Sequence, residues 1–135
     1  MWTHEASIET SAAPARIWAL FAATDGWKDW NAGVMAIRLH GPFQAGTRFT
    51  MQLPDDDAID SMLVEVEPGH GFTDETVIDD TRVSVAHRIE PLPAGGSRVV
   101  FRTQATGPDA QDLGRMASSD FANVLAALKR IAEQH

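Results

Sequence analysis

The chain has 135 residues, with 19 Asp and Glu against 11 Lys and Arg and a formal net charge of −8, so phosphate backbones are repelled over most of its surface and nucleic acid is a poor partner. Its length suits one domain, residues 1–135, that buries most of its apolar surface unaided. Cysteine is absent, which removes disulfides, thiolate nucleophiles and thiolate metal sites together.

The opening "MWTHEASIET" has neither a basic start nor a long apolar run, and no later segment reaches membrane-spanning length, so a cytoplasmic protein without membrane insertion is expected. Residues Trp2 to Thr10 alternate, with Trp2, His4, Ala6 and Ile8 on one face, which predicts a strand. The period then changes. Pro14 suits a first helical turn, Ile17, Leu20 and Phe21 form an apolar face, and Thr24 is placed to cap a second short helix, "DGWKDW".

From Val34 onward six short apolar runs alternate with turn signals: "VMAIRLH", "TRFTMQL", "SMLVEVE", "FTDETVI", "RVSVAHRIEP" and "SRVVFRTQAT". With the first strand they make seven, in an antiparallel meander. After "GP", Asp109 is placed to cap a terminal helix whose apolar positions Leu113, Ala117, Phe121, Val124, Leu128 and Ile131 recur at helical spacing. Continuous from Ala110 to Glu133, it spans about 36 Å. Gly114 weakens its first turns. The layout is α+β: a curved seven-stranded antiparallel sheet wrapped around a long C-terminal helix, with two short helices between strands one and two.

The parity that buries Val83, Val85 and Ile89 carries His87 inward with them. His87 is then either a core histidine bonded to a backbone carbonyl or to Thr103, or part of a cavity wall. The same parity nominates Phe49, Met51, Met62, Val64, Val85, Phe101 and Thr103 from the strands, and Trp27, Trp30, Met116 and Phe121 from the helices. Methionines and aromatics suit an adaptable pocket and equally an ordinary core, because periodicity reports burial and cannot report emptiness. Trp30 reads as a structural plug, whereas Trp27 fits a plug or a pocket mouth equally. In "FTDET" one register turns Thr73, Glu75 and Val77 inward and joins a carboxylate to the imidazole. The other brings in Phe72, Asp74, Thr76 and Ile78, and periodicity alone does not choose.

Other motifs have plainer readings. "PDDDAID" offers Asp55, Asp56, Asp57 and Asp60 but lacks the glycine and distal glutamate of a calcium loop, and reads as a solvated acidic turn. His4, His40, His70 and His135 have no zinc spacing, so no metal is expected. The glycine turns "GPFQAG" and "PGHG" lack the context of a phosphate cradle, Ser118 and Ser119 lack a nucleophile elbow, and Arg115 reads as solvated. No cofactor is expected.

The strings "APARIWALF", "WKDWNAGV", "GPFQAGTRF", "VEPGHGFTDET", "HRIEPLPAGGSRVVF" and "TGPDAQDLG…FANVLAALKRIAEQ", in that order, resemble the SRPBCC superfamily, also called START-like or birch-pollen-allergen-like. The nearest likeness is to its bacterial polyketide cyclase, dehydrase and lipid-transport branch. The resemblance implies a helix-grip fold with an internal pocket between sheet and long helix, and no fixed catalytic motif to carry over. The expected function is binding of a small hydrophobic, lipid- or polyketide-like ligand. One alternative is a cyclase or dehydratase with His87, joined by Glu75, as the catalytic acid or base. Another is a module like the chaperone activators of similar fold, binding a protein partner through an exposed apolar patch. Homodimerisation through a sheet edge stays open.

Overall fold

In the computed structural model, which describes residues 1–55 and 57–134, the chain runs β1 (Trp2–Thr10), α1 (Pro14–Ala22), a 3-10 turn (Thr24–Gly26), α2 (Trp27–Trp30), β2 (Ala36–Leu39), β3 (Arg48–Gln52), β4 (Ala58–Glu67), β5 (Gly71–Ile78), β6 (Thr81–Pro91), β7 (Ser97–Thr106), α3 (Ala110–Ser118) and α4 (Phe121–Ala132). Asp56 of the acidic turn and His135 lie outside the described residues. The strands form one antiparallel sheet in the order β1-β7-β6-β5-β4-β3-β2, the helix-grip arrangement expected from the sequence. Packing of α1, α3 and α4 against one face makes that face the core.

Two helical expectations change in detail. Thr24 opens a 3-10 turn without a side-chain cap, and α2 is a single turn. Its place is fixed instead by the Trp27 Nε1 donating to the Phe21 carbonyl at 2.9 Å, a buried bond from α2 to the end of α1. The terminal helix bends at Ser119–Asp120 into two segments. Just before the bend, the Ser118 hydroxyl donates to the Gly114 carbonyl four residues back at 2.8 Å, a local bond that competes with the helical ladder and favours bending. Asp109 makes no side-chain cap; its backbone N–H donates to Thr81 Oγ1 at 2.9 Å and ties the start of α3 to β6.

Strand registers decide what faces inward. Asp79 and Asp80, at φ 46° and 66°, form a two-residue turn that pairs Ile78 with Thr81. Positive φ at both turn residues matches the right-handed twist of the flanking strands. His87 therefore faces Phe72, and Val85 faces Asp74. Phe72, Asp74, Thr76 and Ile78 point inward, and Glu75 goes to the outer face, where Arg82 lies 3.3 Å away. Of the two registers the sequence leaves open, the structure takes the one that turns the candidate Glu75 outward.

A second irregularity corrects β4. The pairing shifts between Leu63 and Glu65, leaving Val64 as the extra residue of a bulge. Ahead of it Leu63 is fully buried opposite Asp74, and Met62 lies across from Arg48 and Glu75 on the outer face. Val64 is 38% exposed, so neither Met62 nor Val64 faces the interior.

Gly114 has a structural reason beyond flexibility. A Cβ there would lie 2.3 Å from the Trp2 ring, so the glycine lets α3 settle onto β1. Gly114→Ala in a free helix would gain roughly 1 kcal/mol. Here it is expected to lose about 1–3 kcal/mol through overpacking, read as a lower urea midpoint. In a Trp2→Ala background the loss should shrink or reverse; an equal loss in both backgrounds refutes the contact as its cause.

Candidate functional site

The aromatic half of the core is solid. Ile17, Phe21, Phe49, Leu63, Phe72, Leu125 and Leu128 are each at most 1% exposed. Beside it, toward α3 and the bend, the sheet and helices part to leave a chamber of about 500 Å³, within the range of small-molecule sites. Its walls come from α2 and the loop after it, from β3 through β7, and from α3, the bend and α4.

Trp27, Trp30, Met51, Val85, His87, Phe101, Met116 and Phe121, all nominated by parity, lie on this wall. Met116 is 73% exposed and stands at the opening. Two other nominees sit behind the wall. Phe49 is fully buried with its ring 6.0 Å from Trp27. Thr103 is fully buried opposite Val85, and its hydroxyl has no partner among the described residues. The possible His87–Thr103 bond is not made; His87 pairs across the strand with Phe101.

His87 is held by its neighbours as a neutral ring. It stacks on Phe72 at 4.1 Å and meets Phe101 edge-on at 4.6 Å. Its Nδ1 lies 3.3 Å from the Phe72 carbonyl, which can only accept, so Nδ1 carries the proton and Nε2 the lone pair. Burial lowers its pKa to about 3, with backbone hydrogen bonds at Phe72 and Val85 opposing only in part. An imidazole so placed is no acid at neutral pH.

The chamber carboxyl that titrates near neutrality is Asp74, which the sequence brings inward in one of the two registers it leaves open for β5. Burial raises its carboxyl to about 7, with no charge or hydrogen bond among the described residues offsetting it. Two more carboxylates join the wall: Asp55 from the β3–β4 loop, whose Oδ1 accepts from the Asp57 N–H at 3.2 Å, and Asp120 at the helix bend. Asp120 precedes α4 but makes no capping bond. Its Oδ2 instead approaches Gly33, as does Asn31 Oδ1, which accepts the Gly33 N–H at 3.0 Å. The acidic turn is therefore partly wall rather than wholly solvated. Arg115 is exposed and away from the chamber.

Asp74 and His87 pull the pH dependence of stability in opposite senses. The raised Asp74 pKa favours the fold fully below about 3.8 and ceases to do so as pH rises through about 7. The lowered His87 pKa favours the fold above about 6.5, and that benefit is lost as pH falls toward 3. Between pH 4 and 6.5 the two slopes oppose each other. Replacing Asp74 by Asn should leave the His87 slope alone, so the stability difference between Asp74→Asn and the parent moves in the variant's favour from pH 4 to 7 and then flattens. The slope is bounded at about 1.4 kcal/mol per pH unit. Urea unfolding at several pH values measures it, and a flat difference would contradict a perturbed Asp74.

Comparison with known proteins adds the lineage. The structure superposes on a protein from Mesorhizobium loti with a TM-score of 0.79 at 17% identity, covering 96% of this chain and 95% of that one. Norcoclaurine synthase from Thalictrum flavum gives 0.75 at 12% identity, over 99% and 87% of the two chains. The di-domain ARO/CYC StfQ of the steffimycin biosynthetic pathway gives 0.78 at 17%, over 97% of this chain and 50% of that one. These likenesses establish the fold alone. Comparison with curated proteins finds no match. With a seven-stranded sheet gripping a bent terminal helix, and a sequence match running over residues 1–133, the chain belongs to the family described as "Polyketide cyclase / dehydrase and lipid transport".

Proposed function

We propose that the protein binds a small, largely apolar molecule in the chamber between sheet and terminal helix. The observation that carries this reading is the chamber itself, about 500 Å³ of space walled by tryptophan, phenylalanine, methionine and aliphatic side chains beside an otherwise tightly packed core. Removing apolar surface from water supplies the drive, at about 25 cal/mol per Å² before ordering costs. Polar wall groups such as Asp74 and Asn31 orient the guest. Membership of a family described in terms of cyclase, dehydrase and lipid-transport roles supports the same reading.

An enzymatic reading is favoured by one observation. Asp74 sits in the chamber with a pKa of about 7, where a carboxyl exchanges protons most effectively at neutral pH. It replaces the pair of His87 and Glu75: His87 stays neutral, and Glu75 faces Arg82 on the outer surface. Any proton transfer to a chamber-bound substrate would then follow an apparent pKa near 7 that disappears in Asp74→Asn.

Binding is tested with Nile red, a neutral dye whose emission rises in apolar surroundings. Saturable enhancement is expected, with a change in tryptophan emission because Trp27 and Trp30 line the wall. Ala117→Trp, which fills the chamber from α3, should weaken binding at least about tenfold, equivalent to 1.4 kcal/mol. Equal affinity in the filled variant would place the dye elsewhere and defeat the proposal.

A further inference from the structure

Resting on the chamber as a binding site, we infer that its guest is an apolar molecule carrying a protonated amine. The site is the chamber; its charged groups set the sign of the guest. Every charged residue among the described wall positions is acidic, namely Asp55, Asp74 and Asp120, and no Lys or Arg joins them. Three strand arginines pair with carboxylates off the wall: Arg82 lies against Glu75, Arg88 against Glu65 and Glu67, and Arg98 against Glu9.

The groups paired with Asp74 or sharing its wall leave this sign uncancelled. Its strand neighbours across the pairing are Leu63 on β4 and Val85 on β6. From β6 comes His87, which is neutral; from the β3–β4 loop Asp55; from the helix bend Asp120. The α2 residues on the wall are Trp27 and Trp30, while Lys28 and Asp29 are exposed. On α3 the wall residues are Leu113, Met116 and Ala117, with Asp112 and Arg115 exposed.

An anionic guest such as a carboxylate would enter against Asp55 and Asp120, and against Asp74 as well once that group ionises. A neutral guest would leave Asp74 without a partner when ionised. An ammonium reverses both terms. Binding is then linked to protons: the amine selects ionised Asp74, so its affinity rises as pH climbs through about 7, until the amine itself deprotonates.

The experiment uses calorimetric titration of the intact chain with phenylbutylamine, phenylbutanol and phenylbutyrate, which share a skeleton and differ in charge. The amine should bind at least about tenfold more tightly than the alcohol, a difference of 1.4 kcal/mol, and the acid most weakly. Amine affinity should rise between pH 6 and 8, and Asp74→Asn should abolish that rise and lower the ratio of amine to alcohol affinity, with only Asp55 and Asp120 left to favour the amine. Tight alcohol binding with no amine advantage, or preference for the acid, overturns the inference and leaves the binding chamber standing. Failure of all three probes together with Nile red overturns the chamber reading as well.

Discussion

The chemistry of this molecule turns on a two-residue turn. Asp79 and Asp80 both take left-handed backbone conformations, which aspartate tolerates better than most residues at a cost of about 1–2 kcal/mol each. Because the loop has two residues, β5 and β6 pair so that an inward His87 requires an inward Phe72, and therefore an inward Asp74. One more residue in the turn would exchange the faces of β5, placing Glu75 and Thr73 inside and Phe72 in solvent. Loss of the Phe72–His87 stack and of the aromatic core around Phe21 makes that alternative untenable.

That constraint leaves a carboxyl in a poorly solvated place, a destabilising arrangement that an apolar residue would avoid. His87 carries a parallel cost at low pH. Yet the two differ in surroundings. The imidazole is clamped between aromatic rings and a backbone carbonyl, which makes it a wall element with a fixed tautomer. Among the described residues the carboxyl has no such partner, and it lines the chamber. Polar groups left with unmet demand beside a cavity are where strain and function coincide.

The division of the interior into a packed half and an open half follows from the helices. At one end α1, α2 and α4 bring together Ile17, Phe21, Trp27, Leu125 and Leu128 against the sheet. At the other α3 is seated on β1 through Gly114 and tied to β6 through Thr81, and the bend at Asp120 redirects the chain before it can fill the space beneath. A straight, tightly seated rod would have a different relation to the sheet. The chamber is therefore a consequence of where the terminal helix is anchored and where it breaks.

Sequence alone determined the number and order of strands, the early helix at Pro14, the terminal helical run and the inward path of His87, because each rests on local periodicity or local turn chemistry. It named Asp74 only as one of two registers; reading "DD" as a two-residue turn between Ile78 and Thr81 would have selected it. The bulge at Val64 escaped because Met62, Val64 and Val66 alternate perfectly in the chain, and only pairing with β5 reveals the inserted residue. Asp55, Asn31 and Asp120 gave no local sign of converging, since they come from three separate connections. Whether the interior is filled depends on how helix anchoring and sheet curvature divide volume over residues distant in sequence, and such volume is a property of the assembled fold that periodicity does not encode.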